Sequence, residues 1–201
     1  MSGMIPRDTL KARGQKEMKM SPNKRRPALT LALALLLVAV SWVAPVTRAQ
    51  SPLDFKLKTT DGGEITSEMV RGDVVVLAFG SSLLGPLSKQ QVQGVQQLSE
   101  EFGPRDVRVY WVTTDSDKPQ AKTYATDEQL RAFASKVGLK AAVLRDPEGA
   151  LFKKTGADQL PAVVILDRSG TVSVPVVGGH DPKRSLVEAL SDRLNKMLSA
   201  R

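Results

Sequence analysis

The sequence predicts an α/β sandwich, a mixed β-sheet covered by helices on both faces. Three observations carry that prediction. Residues Val74 to Phe79 form a short, unbroken apolar run, the pattern of a central strand buried on both faces. Val92, Val95, Leu98 and Phe102 then recur at three- and four-residue spacing, which gives a helix one apolar stripe. Further on, Pro161 to Leu166 is again apolar and ends in Asp167-Arg168-Ser169-Gly170, turn chemistry that leads into a second strand over Thr171–Val177.

The remaining elements fit between these. Phe55 and Leu57 alternate with Asp54, Lys56 and Lys58, as in a half-exposed strand, and Asp61-Gly62-Gly63 turns the chain after it. Gly80 to Gly85 reads as a strand-to-helix turn, with Pro86 in the first turn of the helix, where its missing N–H costs nothing. Val107 to Val112 is a strand. Thr126-Asp127-Glu128-Gln129 is a capping box that starts a helix with Leu130, Phe133 and Val137 inward and Gly138 at its stop. Asp181-Pro182 is expected to open a last helix striped by Leu186, Leu190, Leu194 and Met197.

Charge separates the chain into two parts. Of 29 Lys and Arg against 21 Asp and Glu, residues 1–49 hold nine basic and two acidic side chains, leaving twenty against nineteen in residues 50–201. The basicity therefore belongs to the leader, and the domain has no electrostatic footprint for nucleic acid. In the leader, Lys24-Arg25-Arg26 precedes an uncharged run from Ala28 to Ala44, then Pro45 and Thr47-Arg48-Ala49. This is the layout of a signal peptide cut after Ala49; a retained N-terminal anchor is the second reading, and the only membrane contact expected. Both put residues 50–201 outside the cytoplasm, periplasmic or otherwise extracytoplasmic. About 150 residues suffice for one core, and the chain has no cysteine to add a disulfide.

From Asp54 to about Leu198 the chain resembles the thioredoxin-like redoxins, the alkyl hydroperoxide reductase/thiol-specific antioxidant group and the membrane-tethered thioredoxins. The resemblance is carried by Asp54-Phe55-Lys56-Leu57 with Asp61-Gly62-Gly63, by Arg71-Gly72-Asp73 running into Val74–Phe79, by Asp146-Pro147-Glu148-Gly149, and by Leu160-Pro161-Ala162 running to Gly170. It implies a thioredoxin-like three-layer sandwich and a cis peptide bond before Pro161 facing the active-site turn. It also places Leu84-Gly85-Pro86-Leu87 on the Cys-Gly-Pro-Cys segment, with leucine at both cysteine positions.

In such a site the first cysteine is a thiolate nucleophile at a helix N-terminus and the second resolves the mixed disulfide. Leu84 and Leu87 have no nucleophilic atom, so thiol–disulfide exchange and peroxide reduction, the activities the resemblance would imply, have no chemical basis in this chain. No catalytic residue, metal or cofactor is expected. His180, the one histidine, reads as a loop residue before Asp181-Pro182. Asp115-Ser116-Asp117 reads as a solvated loop, since it lacks the rest of a calcium-loop pattern. Two readings remain for Leu83, Leu84 and Leu87. They fill the turn and pack inward, or they form with Gly85, Pro86, Leu160 and Pro161 a groove for an extended peptide or an envelope protein.

Overall fold

The computed structural model describes residues 51–178 and 184–200. The leader, the expected cut after Ala49, His180 and Asp181-Pro182 lie outside them. The elements are β1 (Lys56–Thr59), β2 (Glu64–Thr66), β3 (Val74–Gly80), α1 (Pro86–Phe102), β4 (Val107–Thr113), α2 (Asp127–Val137), β5 (Val143–Arg145), α3 (Ala150–Lys154), β6 (Ala162–Leu166), β7 (Val172–Gly178) and α4 (Leu186–Ser199).

The strands form one sheet in the order β2-β1-β5-β4-β3-β6-β7. β3 runs parallel to β4, in register from Val74 with Val107 to Gly80 with Thr113, and antiparallel to β6, with Phe79 opposite Ala162. β5 is parallel to β4 and antiparallel to β1. The sheet is therefore mixed, as the sequence predicts. Side chains alternate across it. Val74, Val76 and Ala78 of β3 join Trp111 of β4, Val163 of β6, and the apolar stripes of α1, α2 and α4. Val75, Leu77 and Phe79 face the other way, onto Phe55, Leu57, Val112, Val164 and Leu151 of α3. Helices cover both faces, which makes this the three-layer, thioredoxin-like sandwich.

Local chemistry sets the element ends. Thr126 and Gln129 form the reciprocal capping box of α2, and Gly138 ends that helix with φ +88°, a conformation that favours glycine. The last helix carries the expected stripe of Leu186, Leu190 and Leu194. It starts at Leu186 behind a second capping box, Ser185 with Glu188, in which the serine hydroxyl accepts the third amide. Three short elements escape sequence reading, β2, β5 and α3, because three to five residues are too few to show a period.

α1 and α4 cross where α1 has no side chain. A Cβ built on Gly94 would lie 2.9–3.0 Å from Leu186 Cδ1, Cγ and Cβ. Gly94→Val is therefore expected to lower the unfolding free energy by about 1–3 kcal/mol through overpacking. Gly103→Ala, with no atom within 4 Å of the added carbon and φ −54°, should leave stability unchanged or raise it by about 0.4–1 kcal/mol. Urea denaturation of the two variants checks this, and equal effects would count against the helix crossing.

Candidate functional site

β3 and β4 end side by side, and β6 starts beside them. In sheets with parallel strands, ligands collect at such carboxyl ends. The chain leaves β3 at Gly80, passes through Ser81 to Gly85, and enters α1 at Pro86. The peptide bond between Leu160 and Pro161 is cis. Because Ala162 pairs with Phe79, Leu160 and Pro161 enter the sheet next to the start of this turn.

The turn geometry follows from Gly85. Its φ of 62° and ψ of −122° are those of the first central residue of a type II′ turn, a position that needs glycine. Pro86 follows with its fixed φ as the first helical residue. Leu84 and Leu87 thus occupy the two ends of a tight four-residue turn, whose end Cα atoms lie less than about 7 Å apart. Leu84 stands just ahead of the helix and Leu87 in its first turn. Gly85 supplies no side-chain cap, and that first turn carries no acidic residue.

Solvent reaches the leucines unequally. Leu83 is 56% exposed and Leu87 38%, Leu84 is half-buried, and Gly85 and Pro86 are exposed. Leu160 is half-buried and packs against the core that contains Phe79 and Leu151, while Pro161 is buried. The structure thus sets Leu83 and Leu87 outward, draws Leu84 partly in, and packs Leu160-Pro161 under the sheet end. Two clefts lie elsewhere. One of about 520 Å³ runs between β1 and α3, lined by Phe55, Leu57, Arg145, Asp146 and Leu151. Another of about 410 Å³ opens near Asp73, Arg108 and Tyr110. Neither includes Leu83–Leu87, Leu160 or Pro161.

A buried polar network lies beneath the turn. Asp115 has 0% exposure, which corrects the solvated-loop reading of Asp115-Ser116-Asp117. Its Oδ1 accepts from the Ser81 hydroxyl, and its Oδ2 accepts from the Ser82 amide at 2.8 Å and the Thr113 hydroxyl at 2.9 Å. Ser81 Oγ accepts in turn from the Leu83 amide at 3.2 Å. A polar side chain satisfied in this way can be buried at modest cost. Arg145, also buried, holds the Asp115 main-chain oxygen at 3.3 Å, the Ala125 oxygen at 3.0 Å and Asp127 at 2.8 Å. The loop after β4 is closed by Ser116, whose amide donates to Thr123 and whose oxygen accepts from Ala125.

On the helix side, buried Gln91 of α1 donates to the Phe79 oxygen at 2.9 Å and the Ala162 oxygen at 3.4 Å, and accepts from Trp111 Nε1 at 3.1 Å. Gly80 leaves room for this, since a Cβ there would come within 2.2 Å of Gln91 Oε1. One amide thereby ties α1 to the ends of β3, β4 and β6. Sequence reading misses Gln91 altogether and places Asp115 in the wrong setting. Gln91 sits one residue before Val92, beside the predicted stripe, and that adjacency was the one signal available. Among the described residues no three His, Asp or Glu side chains gather into a metal-holding group.

Known proteins share this fold. The thioredoxin-like protein YneN of Bacillus subtilis is 26% identical over 133 residues, covering 66% of this chain and 73% of its own. Among solved structures, a Chlorobium tepidum protein assigned as the thiol:disulfide interchange protein DsbE superimposes with a TM-score of 0.61 at 24% identity, over 74% of this chain and 96% of its own. A secreted disulfide oxidoreductase of Mycobacterium tuberculosis superimposes with a TM-score of 0.54 at 20% identity, over 74% and 97%. The AhpC/TSA family profile matches residues 49–174, which takes in the whole span from the first strand through the leucine turn to the cis-proline strand. The chain belongs to the AhpC/TSA family, as a thioredoxin-like member that contains no cysteine.

Proposed function

We propose that this chain is an exported, non-catalytic binding module of the cell envelope, and that its leucine turn, with Leu160-Pro161 beside it, holds an extended peptide segment of an envelope protein. One observation carries this reading. Leu83 and Leu87 stay exposed on a turn fixed from below by buried hydrogen bonds. Burying a leucine side chain gains about 1.5–3 kcal/mol, so two leucines held in water by a rigid turn favour a surface that another chain covers. Catalysis of the redoxin kind is chemically closed, because Leu84 and Leu87 replace the attacking and resolving sulfurs. Export is supported by the leader's signal-peptide layout and by the secreted Mycobacterium tuberculosis neighbour. No helix among the described residues is long and apolar enough to cross a membrane.

Site-specific photocrosslinking in living cells tests the surface. A photoreactive residue at Leu83 or Leu87 should give a discrete adduct, and one at exposed Asn195 on α4 should not. Leu83→Asp combined with Leu87→Asp should lower the yield of an adduct formed from Leu84 about tenfold or more, the loss expected when leucine burial is replaced by a charge. Adducts from Asn195 with none from the turn would move the interface to another face.

The turn's geometry makes a separate expectation. Leu84→Cys with Leu87→Cys should give a protein that forms an internal disulfide and reduces insulin above the protein-free blank, since the type II′ turn brings the two ends together. The unsubstituted chain should match the blank, and activity there would sink the non-catalytic reading.

A further inference from the structure

The geometry points to Asp115 as a positioning residue of the leucine turn: beside the shape that Gly85 and Pro86 give, its side chain holds the Ser81–Leu83 segment that leads into Leu84. Asp115 touches no leucine side chain and acts through the backbone. It receives the Ser82 amide directly at 2.8 Å and the Leu83 amide through Ser81 Oγ, which donates to Asp115 and accepts from Leu83 at 3.2 Å. Two successive amides ahead of Leu84 are thus tied to one side chain. Within the turn itself the main-chain bonds are long, the Leu84 amide reaching the Ser81 oxygen at 3.4 Å and the Lys89 amide the Gly85 oxygen at 3.4 Å, while one short side-chain bond runs from the Ser88 hydroxyl to the Ser81 oxygen at 2.5 Å. Ser88 secures the Ser81 oxygen, whereas the Ser82 and Leu83 amides are held through Asp115, directly and by way of Ser81.

Asp115 is itself anchored from two sides. Thr113 Oγ1 donates to Oδ2 and accepts from the Asp115 amide at 3.1 Å, which fixes the side chain against the end of β4. Arg145, immobilised by Asp127 and the Ala125 oxygen, holds the main-chain oxygen. With both oxygens occupied and full burial, the side chain has no alternative partner in water. The turn therefore adopts one conformation rather than several, and a rigid surface binds a peptide with less ordering cost than a loose one. That last step rests on the peptide-binding reading of the turn, whereas the positioning role does not.

The experiment separates the two. In the Leu84→Cys/Leu87→Cys protein, equilibrium with oxidised glutathione (one protein disulfide and two reduced glutathiones formed for each oxidised glutathione consumed) gives the effective concentration of the two thiols. Adding Asp115→Asn removes one acceptor for the turn, and the effective concentration is expected to fall about tenfold, as for loss of a hydrogen bond to a buried group. Ser81→Ala should lower it in the same direction. Leu166→Ala, a buried change at the opposite end of β3 and β6, where Leu166 pairs with Val75, is the control. Its effect on urea stability should be similar, but it should leave the thiols' effective concentration within about twofold of its starting value.

If Asp115→Asn and Leu166→Ala change the effective concentration equally, Asp115 is a general stabiliser and the positioning role is overturned. If Asp115→Asn retains the fold and leaves the effective concentration unchanged, the role is likewise overturned. A fall confined to Asp115→Asn and Ser81→Ala supports it. A fall in the thiol measurement together with no crosslink from the turn of the unsubstituted chain would uphold the positioning role and reject the peptide-binding function.

Discussion

Everything at the candidate site depends on the pairing of β3 with a parallel strand on one side and an antiparallel strand on the other. All seven residues from Val74 to Gly80 are buried, so a slip of one residue would turn the Val76 and Leu77 faces into the wrong core. Register on the β4 side puts Gly80 level with Thr113, and register on the β6 side puts Phe79 level with Ala162. These two constraints bring the leucine turn, the Thr113–Asp115 corner and the cis-proline segment to one end of the sheet. The turn's neighbourhood is thus a consequence of core packing. Neither Leu84 nor Leu87 has to contribute to it, which explains how the frame can persist with leucine at both sulfur positions.

Much of this frame could be read from the sequence, because its signals are periodic. The run at Val74–Phe79, the stripe of α1 and the capping box at Thr126 each repeat a pattern over many residues, and each appears in the structure where the pattern puts it. The elements that escaped are short or polar. β5 has three residues and ends in Arg145, whose charge argues against a strand until its three acceptors are known. Asp115 was misread for the same reason. A polar triplet beside a proline has the composition of a solvated loop, and only tertiary contacts reveal that its oxygens are satisfied inside the protein. Gln91 shows the limit most clearly, since its three partners, Phe79, Ala162 and Trp111, lie 12, 71 and 20 residues away.

The polar network and the leucines bear differently on chemistry. A thiol site needs a nucleophile at the helix start, where unpaired amides and the helix dipole stabilise negative charge. Here α1 keeps that electrostatic setting, with no acidic residue in its first turn, but offers it no ionisable group. The field therefore has nothing to act on within the turn. The steric part of the site, comprising the Gly85 turn, the Pro86 start and the Pro161 entry, is intact and has become independent of the reactive part. Binding and bond-making, which share residues in a redoxin site, are separable here because the first rests on backbone shape and the second on sulfur.

Rigidity decides whether exposed leucines bind a partner or are merely tolerated. A leucine on a mobile loop can fold back against the protein and recover part of its burial free energy, and it then loses that contact when a partner arrives. Leu83 cannot do so freely, because its own amide is bonded to Ser81 and the preceding amide to Asp115. Leu87 cannot, because it lies in the first turn of a helix clamped by Gln91 to three strands. The ordering cost of the turn is met during folding by buried hydrogen bonds, so that the partner we propose would gain the apolar contact with little further loss of chain entropy. That division of labour, buried polar groups fixing the backbone and apolar groups left exposed above them, is what the proposed binding surface requires.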